Sequence, residues 1–289
     1  MRHGFSLPFL AAVLLCCFAA SSRPLPAWTP AGHEVICTIT ESLLEQPTRA
    51  EVHRLLAILD SVEPETRDFP GACSWLDHIR EQGFRHLDRW HYVNLPINPQ
   101  KLPLPPPSKD DVIFAIRQSV ETLRDPAASE FGRAFALRVL IHVVGDIHQP
   151  LHTVSRFSTE RPKGDRGGND YSLAGEGSHQ NLHLLWDRGV GLLPDRRAPN
   201  RQAMIRVLAR ELVREIRPEN LPLAERNPRA WAEEGRELAK SYVYAGIEED
   251  TAPSPAYLRR AEPVVRRQLI LAAYRLADLL HTLPHPPQP

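Results

Sequence analysis

Apolar residues recur at three- and four-residue intervals through most of the chain. Segments 34–44 and 49–59 carry that helical spacing, the first soon after Pro30. Segment 110–123 opens on acidic residues and puts Val112, Ile116, Val120 and Leu123 on one stripe, with Ile113 beside it. Segment 131–147 is apolar nearly all round, which predicts a central helix buried on every side. The helical period returns in 202–216, 230–244 and 256–283. No stretch shows sustained strand alternation with hairpin turns, so the pattern predicts an all-α, single-domain, multi-helix fold. Two stretches break it. Residues 95–108 are proline-rich, and residues 155–177 are rich in Gly, Arg and Asp and include GDRGGNDY. A loop that long in a compact domain is often functional.

Composition adjusts this picture at the N-terminus. Arg2 and His3 precede an apolar run over 5–20, followed by Ala19, Ala20, Ser21 and Ser22. This is a signal-peptide pattern, too short for a typical membrane-spanning helix, and it predicts a secreted or periplasmic protein. An uncleaved anchor is the alternative. Leu15 precedes Cys16, where lipid attachment in bacteria usually requires a small residue. Of the four cysteines, Cys37 and Cys73 remain in the mature chain. Export permits a disulfide between them, and two buried thiols are equally compatible with the sequence. The 28 prolines cluster at 25–26, 95–107 and the C-terminal tail, so they punctuate rather than interrupt the helices.

Charge narrows the chemistry. The 289 residues hold 35 Lys and Arg against 35 Asp and Glu, a formal net charge of zero. A protein that grips duplex nucleic acid through many phosphates usually carries a basic excess. Either nucleic acid is not the ligand, or bound cations supply the positive charge.

His142 and Asp146 stand four apart on the predicted central helix, on one face and about a turn from each other. Pro150 ends that helix, leaving His152 just beyond it. His183 and Asp187 repeat the i, i+4 spacing in NLHLLWD. His91 lies between aromatics in RWHYVNLP, Asp77 lies in CSWLDHIR, and His33 follows Gly32 at the start of the first helix. Singly, each is also compatible with a structural role. Together they form an imidazole and carboxylate set of the type that holds zinc in open catalytic sites, and it is too large for one ion.

The motifs WTPAGH, SWLDHIR, WHYVNLP, IHVVGDIHQPLH, the GGN loop and NLHLLWD run in order from Trp28 to Asp187. In these the chain resembles the secreted trinuclear-zinc nucleases of fungi, plants and bacteria, the single-strand nuclease and 3′-nucleotidase family. The resemblance implies a phospholipase C/zinc nuclease-like fold with long functional loops, occupying residues 28–289 after a signal peptide over 1–27. It implies three zinc ions per chain. Asp77, His91, His142 and Asp146 would hold one. Trp28, through its free α-amino group and carbonyl oxygen, would hold a second with His33 and Asp146. His152, His183 and Asp187 would hold the third. The Trp28 role requires cleavage between Ala27 and Trp28, in competition with cleavage after Ala20.

The same resemblance implies hydrolysis of single-stranded DNA and RNA to 5′-nucleotides, together with action on 3′-nucleotides, by a monomer of one domain that needs no stable protein partner and no membrane beyond its signal peptide. Asp77 and Asp146 would serve catalysis through the metals, and Arg80 would stabilise charge on the phosphorane. Asn169 would orient the phosphate or Arg80. Tyr92 would stack on a base and Asn94 would hydrogen-bond it, where fungal members often have a carboxylate. Three dications offset by Asp77, Asp146 and Asp187 would bind phosphate without a basic surface, giving a footprint of a few nucleotides. The rival readings are a secreted zinc phospholipase C and a non-catalytic zinc-binding helical protein. Asp187 as last ligand and the short interval from Trp28 to His33 favour the nuclease over the phospholipase.

Overall fold

The computed structural model describes residues 28–59, 68–175 and 180–284, so the expected signal peptide lies outside the described residues. The helices run α1 (Pro30–Leu43), α2 (Thr48–Ala57), α3 (Phe69–Ala72), α4 (Trp75–Glu81), α5 (Val112–Arg124), α6 (Glu130–Asp146), α7 (Leu182–Asp187), α8 (Arg201–Glu215), α9 (Pro228–Leu238) and α10 (Pro255–His281). Their starts follow from local chemistry. Asp111 accepts from the amides of Ile113 and Phe114 to cap α5. Ser129, Asn181 and Ser254 cap α6, α7 and α10 by accepting from Gly132, Leu184 and Tyr257. Pro30, Pro228 and Pro255 stand in first turns, where a missing N–H costs nothing.

The all-α expectation holds, and α6 is buried continuously from Ala136 to Asp146. Segment 230–244 departs from it. There α9 ends at Leu238 and a π turn occupies Ala239–Val243. The wider turn leaves the Val243 carbonyl to accept from the Tyr257 hydroxyl at 2.7 Å. A two-stranded parallel sheet also forms, β1 (Leu95–Ile97) beside β2 (Val154–Arg156), in register Leu95↔Val154. Strand β1 lies within the first stretch read as a loop, and β2 runs into the start of the second. Three residues are too few to show a period, and Pro96 removes a donor from β1.

Apolar side chains collect in two clusters. One unites α2, α5, α6 and the end of α10, with Leu140, Val144 and Leu280 fully buried. The other unites α1, α7, α8 and the body of α10, with Val35, Trp186 and Leu269 fully buried. Helix α10 serves both. One buried polar knot underpins it. Arg275, 2% exposed, pairs with both oxygens of Glu234 at 2.8 and 2.9 Å and donates to His148 Nε2 at 3.0 Å. His148 Nδ1 donates to the Val144 carbonyl at 2.7 Å. Burial and the Arg275 charge push the His148 pKa down to about 3, so the ring stays neutral.

Cys37 on α1 and Cys73 after α3 form a disulfide, with Cα atoms 6.4 Å apart. The bond closes a loop spanning 36 positions. Chain-entropy arguments give such a closure about 3–4 kcal/mol. The Cys37→Ala/Cys73→Ala protein should lose about that much stability, read from its urea midpoint. Denatured, unreduced protein lacking residues 1–27 should titrate no free thiol.

Candidate metal centre

The polar residues that the helical pattern sets apart converge where the two apolar clusters meet. His142 and Asp146 project from the last turns of α6, and His33 from the first turn of α1. Asp77 sits on α4, and His91 ends a 3₁₀ turn, Asp88–His91. His152 closes a second 3₁₀ turn, Pro150–His152, while His183 and Asp187 span α7. All eight are at most 5% exposed.

Their donor atoms form three groups, each able to hold a metal ion. These are His33, His142 and Asp146; Asp77, His91 and His142; and His152, His183 and Asp187. Asp146 faces two ways. Its Oδ2 lies 3.1 Å from both His91 Nδ1 and His142 Nε2, and its Oδ1 lies 3.3 Å from His33 Nε2. His142 Nε2 and His91 Nδ1 are themselves 3.1 Å apart. His152 Nε2 and His183 Nε2 approach Asp187 Oδ1 and Oδ2 at 3.7 and 3.4 Å.

The donor chemistry fits metal. Both oxygens of Asp77, Oδ1 of Asp146, Oδ2 of Asp187, both nitrogens of His33, and Nε2 of His91 and His152 are buried without a hydrogen bond. Buried polar atoms are rarely left that way, because each costs its desolvation. The opposite ring nitrogens are spoken for by main-chain carbonyls. Nδ1 of His142, His152 and His183 donate to Cys73, His91 and Gly167 at 2.7, 2.8 and 2.7 Å. This fixes each ring with Nε2 facing inward, the arrangement metal-binding histidines adopt.

Electrostatics agrees. Burial lowers the pKa of His33, His91, His152 and His183, favouring the neutral, ligating form. Burial acts the same way on His142, but Asp146 and Asp77 outweigh it and hold the ring up at about 9. Burial alone would raise Asp146, yet the charge of His142 and the close approach of His142, His33 and His91 hold it well below the usual carboxylate range. Asp187 has fewer such partners, and burial pushes it up to about 8.

Three supports were not legible in the motifs. Gln149 is fully buried, donating to Asp187 Oδ1 at 2.6 Å and accepting from the Leu151 amide at 2.6 Å. It lies inside the His-rich run, but glutamine there carries no metal signal. Asp88 pairs with Arg80 Nε at 3.2 Å and with Arg85 at 2.6 Å. The chain turns at Gly83 to bring the two together, an approach that sequence spacing does not reveal. The short sheet is the third. Val93 N donates to His152 O at 2.8 Å, so the β1–β2 register sets His91 beside His152.

A cavity of about 280 Å³ opens over these groups. His91, His152 and His183 form part of its wall, with Arg80, Tyr92, Asn94 and Asn169 around it. Arg80 is nearly buried, its side chain 10% exposed, and it reaches to 3.6 Å from Asp77 Oδ1. Tyr92 is exposed rather than a core tyrosine. Asn169 donates to the Arg166 carbonyl at 2.9 Å. Trp28 is fully buried, its indole N–H donating to the Gly145 carbonyl at 3.1 Å, and Thr29 N donates to Asp187 O at 3.0 Å. The first described residue is thus fastened between the end of α6 and α7.

A mostly helical scaffold thus carries three buried histidine and carboxylate groups, each able to hold a metal ion, beside a small open cavity. The S1/P1 Nuclease family matches residues 28–284, and the chain belongs to that family. Membership carries nuclease chemistry, hydrolysis with nucleic acid as substrate. Among its relatives, Endonuclease 1 of Arabidopsis thaliana is 27% identical over 97% of this chain and 93% of its own length. Endonuclease 4 of the same plant is 28% identical over 89% of each. Nuclease S1 of Aspergillus oryzae is 25% identical over 64% of this chain and 60% of its own.

Gly167 holds His183 through its carbonyl, with φ at +63°, and a Cβ there would stand 2.3 Å from the Leu151 carbonyl oxygen. Gly167→Ala should therefore destabilise the fold by about 2 kcal/mol. In a metal titration, the affinity of the His152, His183 and Asp187 group should fall about 10- to 100-fold. Equal affinity in both proteins would remove the loop from the account of the site.

Proposed function

We propose that the chain is an exported, zinc-dependent enzyme that hydrolyses single-stranded DNA and RNA to 5′-nucleotides and also removes the phosphate of 3′-nucleotides. The observation that carries this reading is Asp146, whose two carboxylate oxygens turn to two different histidine groups beneath a cavity that contains an arginine. The three groups support a reading of three zinc ions per chain. His91, Asp77, His142 and Asp146 take one, His33 and Asp146 a second with the main-chain ends of Trp28, and His152, His183 and Asp187 the third. The Trp28 part requires a signal peptide over 1–27 to be cut off, and the family match begins at residue 28. The disulfide fits an oxidising compartment. No helix among the described residues is long and apolar enough to cross a membrane.

When bound, zinc supplies Lewis acidity, which acidifies an attacking water and offsets phosphate charge. The protein's own groups supply position. Arg80 presents its guanidinium to the developing charge on phosphorus and is steered there by Asp88 and Asp77. Tyr92 offers its exposed ring to a base, a contact that tolerates any sequence, and Asn94 offers an amide to the base edge. Asn169 keeps the 166–169 loop in place through the Arg166 carbonyl. The protein is neutral overall, so affinity is concentrated at this cavity rather than spread over a basic surface.

Native mass spectrometry should find three zinc ions per chain, and chelation should abolish cleavage of single-stranded DNA until zinc is returned. Arg80→Ala should lower kcat by about 10²–10³ with zinc content intact. Asp146→Ala should lose the zinc pair and the activity together. Turnover of phosphatidylcholine but not of single-stranded DNA or RNA would replace this reading with a phospholipase. Zinc uptake with no turnover of any phosphodiester would replace it with a binding protein.

A further inference from the structure

Helix α6 carries a glycine where its backbone has no need of one. Gly145 is buried in the last turn, next to Asp146. Its conformation is helical and not left-handed, so no turn or cap calls for glycine. Glycine is also the weaker helix former, by up to about 1 kcal/mol relative to alanine. What it provides is space. A Cβ there would stand 2.9 Å from His33 Nδ1, 3.1 Å from His33 Cε1 and 3.3 Å from Ile36 Cδ1. Helix α1 therefore meets α6 with the His33 ring laid on a bare Cα.

His33 lacks the anchor that three of its neighbours use. Carbonyls of Cys73, His91 and Gly167 hold the rings of His142, His152 and His183. Both nitrogens of His33 are buried without a hydrogen bond. Contact orients its ring instead. It stacks on His142, with centroids 4.0 Å and planes 15° apart, and it rests on Gly145, three residues further along the same helix. In this pose His33 Nε2 stands 3.3 Å from Asp146 Oδ1. The same glycine fastens the segment before α1, because its carbonyl accepts from the Trp28 indole N–H at 3.1 Å.

We infer that Gly145 is a positioning residue for the metal ion assigned to His33 and Asp146, and that its missing side chain is what lets α1 deliver the His33 imidazole to that ion. This rests on the reading of paired ions about Asp146. Magnitudes favour it. A methyl group on Gly145 would have to push the ring away by about half an ångström to regain ordinary contact distance. Helix α6 is buried continuously from Ala136 to Asp146, so the ring is the part that moves. A ligand atom serves a metal only within about 0.2 Å of its proper distance. One methyl group is therefore enough to take His33 out of range, although alanine suits a helix better than glycine does.

The test strips zinc-loaded protein in buffers of falling free zinc and counts the ions that remain by native mass spectrometry. Gly145→Ala should release one ion about 10- to 100-fold more readily than the parent and keep the other two at parental affinity. Adding Ile36→Val, which removes Cδ1, should not restore that ion, because the pressure falls on His33. The His33 Cε1 carbon–proton signal, identified by its loss in His33→Asn, should move in Gly145→Ala protein as purified. A variant that holds all three ions as the parent does, or loses all three alike, overturns the seat. So does restoration by Ile36→Val, which would make the effect one of core packing. If the parent binds fewer than three ions, the trinuclear reading fails, and the histidine signal decides the seat by itself: a moved signal supports it and an unmoved one overturns it.

Discussion

The Asp146 carboxylate, fully buried where two apolar clusters abut, is the constraint around which the chain is arranged. A lone charge in such a place is prohibitive, and an ion pair there seldom recovers its desolvation in full. Three imidazoles surround this one, from α1, α6 and the 3₁₀ turn before β1. The surrounding atoms still include buried nitrogens and oxygens without hydrogen bonds. That imbalance fits a centre that cations would complete, at the polar seam between the two clusters. Stability and function then draw on the same atoms.

Rigidity comes mainly from the backbone. Three of the five histidines are oriented by carbonyls of Cys73, His91 and Gly167 rather than by side chains. A carbonyl in a fixed loop cannot rotate away, and it sets the tautomer as well as the direction of the ring. The cost is that each loop must hold its shape. The Cys37–Cys73 disulfide does this for the first carbonyl, the β1–β2 pairing for the second, and left-handed glycines for the third. The Arg275, Glu234 and His148 knot adds support from α10, two residues beyond Asp146.

Much of this was legible in the chain. Long helices with strong periods, α5 and α6 above all, were readable because burial on a helix leaves a mark every three or four residues. His142 with Asp146 and His183 with Asp187 were readable because a helix turns i, i+4 spacing into proximity. The fold brings together eight of the nine residues expected at the centre. The ninth, Trp28, is packed beside them with its indole N–H on the Gly145 carbonyl, and the main-chain role proposed for it is one that no side-chain type announces. Gln149 and Asp88 act on a partner by orientation, and ordinary polar residues that do so look like any others. The small sheet leaves no local mark because each strand has three residues and the register partners Leu95 and Val154 lie 59 positions apart, a distance over which local pattern carries no information. The disulfide stayed open for the same reason, since Cys37 and Cys73 offer chemistry but no geometry until α1 and α3 are packed.

The pairing of His91 and His152 has a thermodynamic side. The carbonyl of His91, a member of one donor group, fixes the ring of His152, a member of another, and the same two residues are tied again through Val93 N and His152 O. An ion that orders either residue therefore removes conformational freedom from both. The second ion then meets a site whose ordering cost is already met, and the coupling must be reciprocal. For ions taken up at both groups, this shared ordering would favour joint loading.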